Sequence, residues 1–486
     1  MQFTPADRHN REMSVPIQEV QPGSFGAQLR MTARLALPLI VAELGWMSMG
    51  LVDTIMVGRL PNSAIAIGAT GLGQTLYHLI AIFGGGLLLG MDTFVAQAHG
   101  RKDVKDARHT LVNGLVLALL LTPLLMLFVS FWPLLMRRFG ISTELVGPMQ
   151  PFLSALNWGT LPLLAYFALR RYLQAVNVTM PITFALVSAN IVNVVGNWAL
   201  IYGHLGFRAY GITGSGWSTF FARCYMAAVL AITLIWVETK GPLSARGMWR
   251  ALRRTDVVRI DPRRIWALVK LGAPAAGQIL LEIGAFSAAT ALCAKLGPVQ
   301  LSGHEIAVNC AAFTFMVPLG ISAAAAVRVG QSLGRQDIAG ARRAGWSSIA
   351  LGSTFMSCSG LVFLSIPKML ARAFSPDAEV VAVGSTLLLV AAAFQLFDGV
   401  QVVTTGALRG AGDTKTPMLA NFVAYYFIGL PLGYVLAFRF HWGALGIWIG
   451  LCSGLIVVGS LLIFAWHKKR LSAYHFDLAE SEVTSA

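Results

Sequence analysis

Charge is scarce in this sequence. Aspartate, glutamate, lysine and arginine make up 12% of its 486 residues, about half the share found in ordinary soluble domains. With 56% hydrophobic residues and a mean hydropathy of +0.66, too little polar surface remains to cover a soluble globule. The chain reads as a polytopic membrane protein. Acid is the scarcer sign, 22 residues against 37 Lys and Arg. The resulting charge of +15 does not point to nucleic acid, because the basic residues fall in short loops between apolar runs. Cysteine is rare as well. Cys224, Cys293, Cys310, Cys358 and Cys452 lie in apolar segments without metal-site spacing, so they read as reduced packing residues rather than disulfides. No Gly-Lys-Ser/Thr phosphate loop occurs, which excludes nucleotide hydrolysis by that route. His304-Glu305-Ile306-Ala307-Val308 begins like a zinc-protease helix, but Val308 takes the place of the second histidine. The first 33 residues are polar and lack the apolar core of a cleaved signal peptide.

Long hydrophobic runs, by contrast, are abundant. Twelve reach spanning length, near 35–58, 66–91, 110–133, 149–169, 180–203, 211–237, 265–294, 302–327, 345–366, 380–408, 416–438 and 443–466. The termini and even-numbered loops hold 28 Lys and Arg, the odd loops eight, and Arg223 lies inside a span. By the positive-inside rule both termini and the long basic loop are expected to be cytoplasmic. Residues 95–109 and 329–343 match at seven of fifteen positions, and 175–181 shares an Ala-x-Asn/Asp-x-x-x-Pro frame with 411–417. The chain therefore reads as a duplication: an all-α membrane protein of twelve helices in two lobes, related by a pseudo-two-fold axis along the membrane normal. The expected division is an N-terminal segment (1–33), an N-lobe (34–237), a basic linker (238–264), a C-lobe (265–466) and a tail (467–486).

Six acids fall within the spans: Glu43, Asp53, Asp92, Glu282, Glu305 and Asp398. Each costs at least ~2.5 kcal/mol to place at that depth, so each should face a protein interior or water. Glu282 sits mid-span behind the small-residue run Gly272-Ala273-Pro274-Ala275-Ala276-Gly277, in a helix the proline can bend. Such a carboxylate reads either as an ion-coupling group or as a protonated acid bonded to a neighbouring helix. Gln395, Asp398, Gln401 and Thr405 share one face of the tenth span, and Asn190, Asn193 and Asn197 form a stripe on the fifth. Amide oxygens facing a carboxylate suit a hard cation such as Na⁺, so Asp53 with Asn193 and Asn197 forms one candidate cluster, although interhelical hydrogen bonding explains the stripe too. Glu305 and Asn309 share a face of the eighth span. Asp92 reads as a helix-end group.

These stretches resemble the multidrug and toxic compound extrusion (MATE) family, in its NorM-like bacterial branch. The carrying residues are 38–60, 91–103, 193–203, 280–286, 303–309, 397–417 and 429–434. The resemblance implies a non-enzymatic exporter of amphipathic, often cationic drugs, exchanged for Na⁺ or H⁺, in the bacterial inner membrane. It implies no other cofactor, no nucleic acid and no ATPase subunit. Cation or proton coupling would fall to Asp53, Asn193, Asn197, Glu282 and Asp398, with Na⁺ at Asp53, Asn193 and Asn197 or at Glu282 and Asp398. Glu43, Asn190, Glu305, Asn309 and Gln395 would be polar residues of the cavity; Glu43 and Glu305 stand where glutamine is expected in much of this branch. The competing readings are a lipid-linked-precursor flippase, which would need a strongly cationic cavity, and a membrane-embedded transferase, which would need a metal-binding acid pair or a nucleophile.

Overall fold

The computed structural model describes residues 25–138, 142–240 and 259–471. The expected linker core (241–258), the start of the N-terminal segment and most of the tail lie outside them. Among the described residues all regular structure is helical. In the first lobe α1 is Phe25–Val57, α2 Ser63–Leu87, α3 Gly90–Gly100, α4 Val104–Arg138, α5 Thr143–Trp158, α6 Thr160–Ala175, α7 Met180–Tyr202 and α8 Ile212–Lys240. In the second, α9 is Pro262–Lys295, α10 Pro298–Gly334, α11 Ile338–Ser365, α12 Pro367–Phe374, α13 Ala378–Gly410, α14 Lys415–Asn421, α15 Leu430–Tyr434 and α16 Gly443–Lys468. Eleven spans are long and apolar enough to cross a membrane, and α5 with α6, bent by 43°, makes the twelfth. The protein is thus a twelve-helix membrane protein of two six-helix lobes. Helix α1 begins at Phe25, ahead of the boundary at 34 that hydropathy marks, because a helix continues past the apolar run that defines its span.

Local chemistry sets several ends. Asp261, Asp337 and Asp377 each cap a helix by accepting from backbone N–H groups of Arg263, Gly340, and Glu379 and Val380. The proline in α9 does not interrupt it; the helix runs unbroken from Pro262 to Lys295. Its small-residue run serves packing instead. Gly272 lies so close to Leu87 that a Cβ there would stand 1.9 Å from the Leu87 carbonyl oxygen.

The duplication is written into the backbone. Lys102 and Gln336, 234 positions apart, both adopt left-handed φ (62° and 61°) in the tight connections after α3 and α10. In each connection the following aspartate's N–H returns to a helix carbonyl at 2.9 Å, Asp103 to Ala98 and Asp337 to Ser332. The contact between lobes repeats at the same offset. A Cβ on Gly100 would lie 2.2 Å from the Gln331 carbonyl oxygen, and one on Gly334 2.1 Å from that of Gln97. Ala96 meets Gly330, its own counterpart, so the pseudo-two-fold axis passes between α3 and α10.

Polar bonds tie the same end. Thr93 donates to the Arg409 carbonyl (2.6 Å), Gln97 to that of Gly410 (3.3 Å) and Gln331 to that of Ala175 (2.9 Å). Asp92 lies in the first turn of α3, a helix end; buried to 0% exposure, it faces Arg171 of its own lobe at 3.5 Å and Arg409 of the other at 3.3 Å. In the opposite half of the bundle Glu305, Asn309 and Phe313 on α10, and Ser48, Leu51 and Ile55 on α1, are exposed.

Symmetry makes a prediction. Gly100→Val and Gly334→Val break equivalent halves of one crossing, so both should open it. In a cysteine-free background a cysteine replacing Ala96, 0% exposed, should react with a polar maleimide several-fold faster in either variant. Unchanged labelling in one of them would mean that the crossing is not symmetric in energy.

Candidate functional site

In lobe 1 four helices converge on one carboxylate. Asp53, on α1 and 2% exposed, accepts from Asn197 on α7 (Oδ1, 2.6 Å) and, on Oδ2, from Thr219 on α8 (3.1 Å) and Gln74 on α2 (3.5 Å). Asn193 accepts from the Asn197 amide at 3.2 Å, and its backbone carbonyl takes the Ser218 hydroxyl at 2.8 Å. Glycine makes room for this: a Cβ on Gly196 would fall 2.5 Å from Ser218 Oγ. Three neutral donors therefore hold Asp53, while the Asn197 amide oxygen and the Asn193 amide nitrogen are buried without a partner. A cavity of about 150 Å³ adjoins the carboxylate, bounded by α1, α2, α5 and α8.

In lobe 2 the acids come as a pair. Glu282 on α9 accepts from Gln401 on α13 at 3.2 Å, and the same amide lies 3.4 Å from Asn421 Oδ1 on α14. Asp398, buried one turn from Gln401, and Tyr425 both lie within electrostatic reach of Glu282. No ion pair among the described residues involves Asp53, Glu282 or Asp398. The Gln401 amide oxygen, the hydroxyls of Thr404 and Thr405 further along α13, and that of Tyr425 are buried without hydrogen-bond partners. Tyr425 sits in a π-helical stretch, Phe422–Gly429, which follows α14 directly. Widened turns of this kind occur often at functional positions, since they shift a side chain's direction relative to an α-helix.

The five residues expected to line the cavity make no hydrogen bond to these acids among the described residues. Glu43 accepts a hydrogen bond from Arg170 in a buried ion pair away from Asp53. Asn190 donates to the Gly45 and Leu186 carbonyls (both 2.9 Å), a tie between α1 and α7. Gln395 of α13 donates to Thr314 of α10 at 2.6 Å. Glu305 and Asn309 are exposed on α10, while neighbouring His304 is buried and bonded to Trp448 and Thr290. Gly330-Gln331-Ser332-Leu333-Gly334 has the G-x-S-x-G spacing of a nucleophile elbow. It lies inside continuous α10, not in a strand-to-helix turn, and Ser332 accepts from Arg335 at 3.2 Å. Gln74, Thr219, Asn421 and Tyr425 were not singled out by spacing; each is an isolated polar residue in an apolar run, a signal available but shared with many packing residues.

A single family model, MatE, matches residues 38–199 and again residues 274–435. The chain belongs to the MatE family. The two matches are displaced by 236 residues, one per lobe. Among curated relatives, a probable multidrug resistance protein NorM from Mesorhizobium japonicum is 36% identical over 452 residues, covering 91% of this chain and 94% of its own. Another of the same name, from Xylella fastidiosa, is 31% identical over 458 residues, covering 93% and 94%. The fold is shared with the crystal structure of the eukaryotic MATE transporter AtDTX14 (TM-score 0.81, 20% identity, 92% of this chain and 97% of that one). It is shared too with an outward-facing multidrug resistance MATE transporter (TM-score 0.79, 18% identity, 91% and 97%).

The Asp53 cluster yields a stability test. Asn197→Leu leaves a buried carboxylate oxygen without its shortest donor and should cost about 1–3 kcal/mol. Adding Asp53→Leu removes the stranded group, so the double variant should lose less than the sum of the single losses in thermal unfolding. Strict additivity would mean that the two side chains do not act on one another.

Proposed function

We propose that this MatE-family chain is a multidrug exporter of the bacterial inner membrane, working as an antiporter. It expels amphipathic, often cationic compounds in exchange for Na⁺ or H⁺, by alternating access of its two lobes. The observation that carries this reading is the Glu282–Asp398 pair. Two neighbouring carboxylates, Asp398 buried and Glu282 half-buried, with no cationic partner among the described residues, repel one another when both are ionised, so the site needs a proton or a Na⁺ to be stable inside a membrane. Buried oxygens of Gln401, Thr404, Thr405 and Tyr425 suit either role. Asp53, held by neutral donors beside a cavity, is the corresponding group of lobe 1. The names of the NorM relatives support the substrate class.

With both termini in the cytoplasm, as the distribution of basic residues indicates, the end sealed by Gly100 and Gly334 is the cytoplasmic one. The arrangement is then the outward-facing state. Loading an acid site from outside would favour a reordering of the lobes, by no more than the ion's difference in affinity between the two states.

Proteoliposomes carrying an imposed Na⁺ or H⁺ gradient test this. The wild type should expel a fluorescent organic cation under one of the two gradients. Asp398→Asn, Glu282→Gln and Asp53→Asn should each fall to the level of empty vesicles while purified yield and melting temperature hold. Normal efflux by Asp398→Asn and Asp53→Asn together would remove the coupling sites from this account.

A further inference from the structure

The duplication relates two corners at the end where α3 and α10 cross. In one, α9 of lobe 2 packs on α3 and α4 of lobe 1. Arg264 of α9 pairs with Asp106 of α4 and lies over the Phe94 ring of α3, 5.0 Å from its centroid. Arg101, in the turn after α3, pairs with the same carboxylate at 2.9 Å. In the other corner α1 of lobe 1 packs on α10 and α11 of lobe 2. An offset of 236 relates Gln28 of α1 to Arg264, as it relates Pro38 to Pro274. The offset of 234 relates Arg328 to Phe94, Arg335 to Arg101 and Gly340 to Asp106. Equivalent positions meet in both: Arg328 donates to the Gln28 amide oxygen, just as Arg264 meets Phe94.

The two corners differ by one acid. Asp106 sits between Arg101 and Arg264, whereas its counterpart Gly340 has no side chain, and no ion pair among the described residues involves Arg328 or Arg335. Asp337 does not make up the difference. It caps α11 by accepting from the Gly340 N–H at 2.7 Å, as Asp103 accepts from that of Asp106 in the other corner. Arg335 is exposed and within electrostatic reach of half-buried Arg328. Each fork has five N–H donors, and among the described residues each meets one acceptor, Gln28 for Arg328 and Ser332 for Arg335. The pair also stands at the bilayer surface. Along one face of α1 exposed Arg30 and Arg34 give way to exposed Leu37 and Val41, at i, i+4, i+7 and i+11. Headgroups therefore lie level with the Arg30–Arg34 turn, beside Gln28, and acyl chains against Leu37 and Val41.

We propose that Arg328 and Arg335 form a binding site for the phosphate of an anionic phospholipid whose acyl chains run along the Leu37–Val41 face of α1. Guanidinium forks match phosphate oxygens in bidentate pairs, and basic pockets between membrane helices hold anionic headgroups in this way. A lipid with net negative charge is favoured over a zwitterionic one, whose own ammonium offsets the attraction of the second arginine. A soluble phosphate would leave the apolar face of α1 unused. Gln28 and Asp53 stand toward opposite ends of α1, so the site is separate from the buried acids and its occupancy can be measured without transport.

Purified full-length protein in a neutral detergent is titrated with phosphatidylglycerol, with phosphatidylcholine of the same chains and with inorganic phosphate, and its melting temperature is followed. Phosphatidylglycerol should stabilise the wild type at a concentration about tenfold or more below that needed of phosphatidylcholine. Gln28→Glu supplies the missing acid beside Arg328 and should remove most of that preference. Arg328→Gln combined with Arg335→Gln should do the same. Arg101→Gln takes a positive charge from the corner that has its acid, and should leave the preference largely unchanged. An equal response of the wild type to the two lipids overturns the site, and this needs no variant to fold. A preference that survives Gln28→Glu overturns it as well. One that falls as far in Arg101→Gln would reduce it to diffuse attraction toward a basic face. Inorganic phosphate matching phosphatidylglycerol would mark a soluble-anion site and overturn the lipid assignment.

Discussion

The close crossing of α3 and α10 is the constraint on which the rest of the molecule depends. Gly100 and Gly334 bring each helix against the backbone of the other, with Ala96 and Gly330 on the axis between them. Membrane helices associate largely through such approaches, because lipid offers no hydrophobic contrast. Dispersion attraction fades within an ångström of separation, so a seam built from glycine is close to all-or-none. Hydrogen bonds to backbone carbonyls and the ion bridge through Asp92 then add to a contact that already exists. Away from this end, polar and apolar side chains of α1 and α10 stand exposed.

On this symmetric frame the chemistry is asymmetric. Lobe 1 carries one buried acid with three neutral donors around it, whereas lobe 2 carries two acids, of which Glu282 alone accepts from a side chain, that of Gln401, among the described residues. The demand for an outside positive charge therefore falls more heavily on lobe 2. In lobe 1 Arg223, which makes no ion pair among the described residues, lines the same cavity as Asp53 and acts on it electrostatically. Duplication supplied two copies of a scaffold, and substitution within each copy distributed charge differently. The helices record the same divergence: the fourth span bends by 43° at Gly159, while its counterpart α13 runs straight through Ala378–Gly410.

Much of this was legible before any coordinates. Spanning helices follow from runs of apolar residues, because an unsatisfied peptide group cannot be left in hydrocarbon. The repeated loop at 95–109 and 329–343 was visible because tight turns and glycine crossings admit few residues, so both copies keep the same ones. Asp53 and Asp398 drew attention because an acid in an apolar run is costly wherever it faces. That same cost could not tell the acids apart. Glu43 has its charge matched by Arg170, Glu305 stands exposed, and Glu282 is beside Asp398, although all four lie in comparable runs.

The sequence by itself determined the class of protein, the number of spans, the duplication and a short roster of costly polar residues. Each of these depends on neighbours along the chain, through hydropathy, helical period or turn geometry. Only the tertiary structure decided partnership: that Asn197, Thr219 and Gln74 meet at Asp53, that Tyr425 comes within electrostatic reach of Glu282 from a π-helical turn, and that Glu43 is taken up by Arg170. Those meetings join residues on different helices, and the rotation and depth of one helix against another are set by packing across the bundle, which no local pattern encodes.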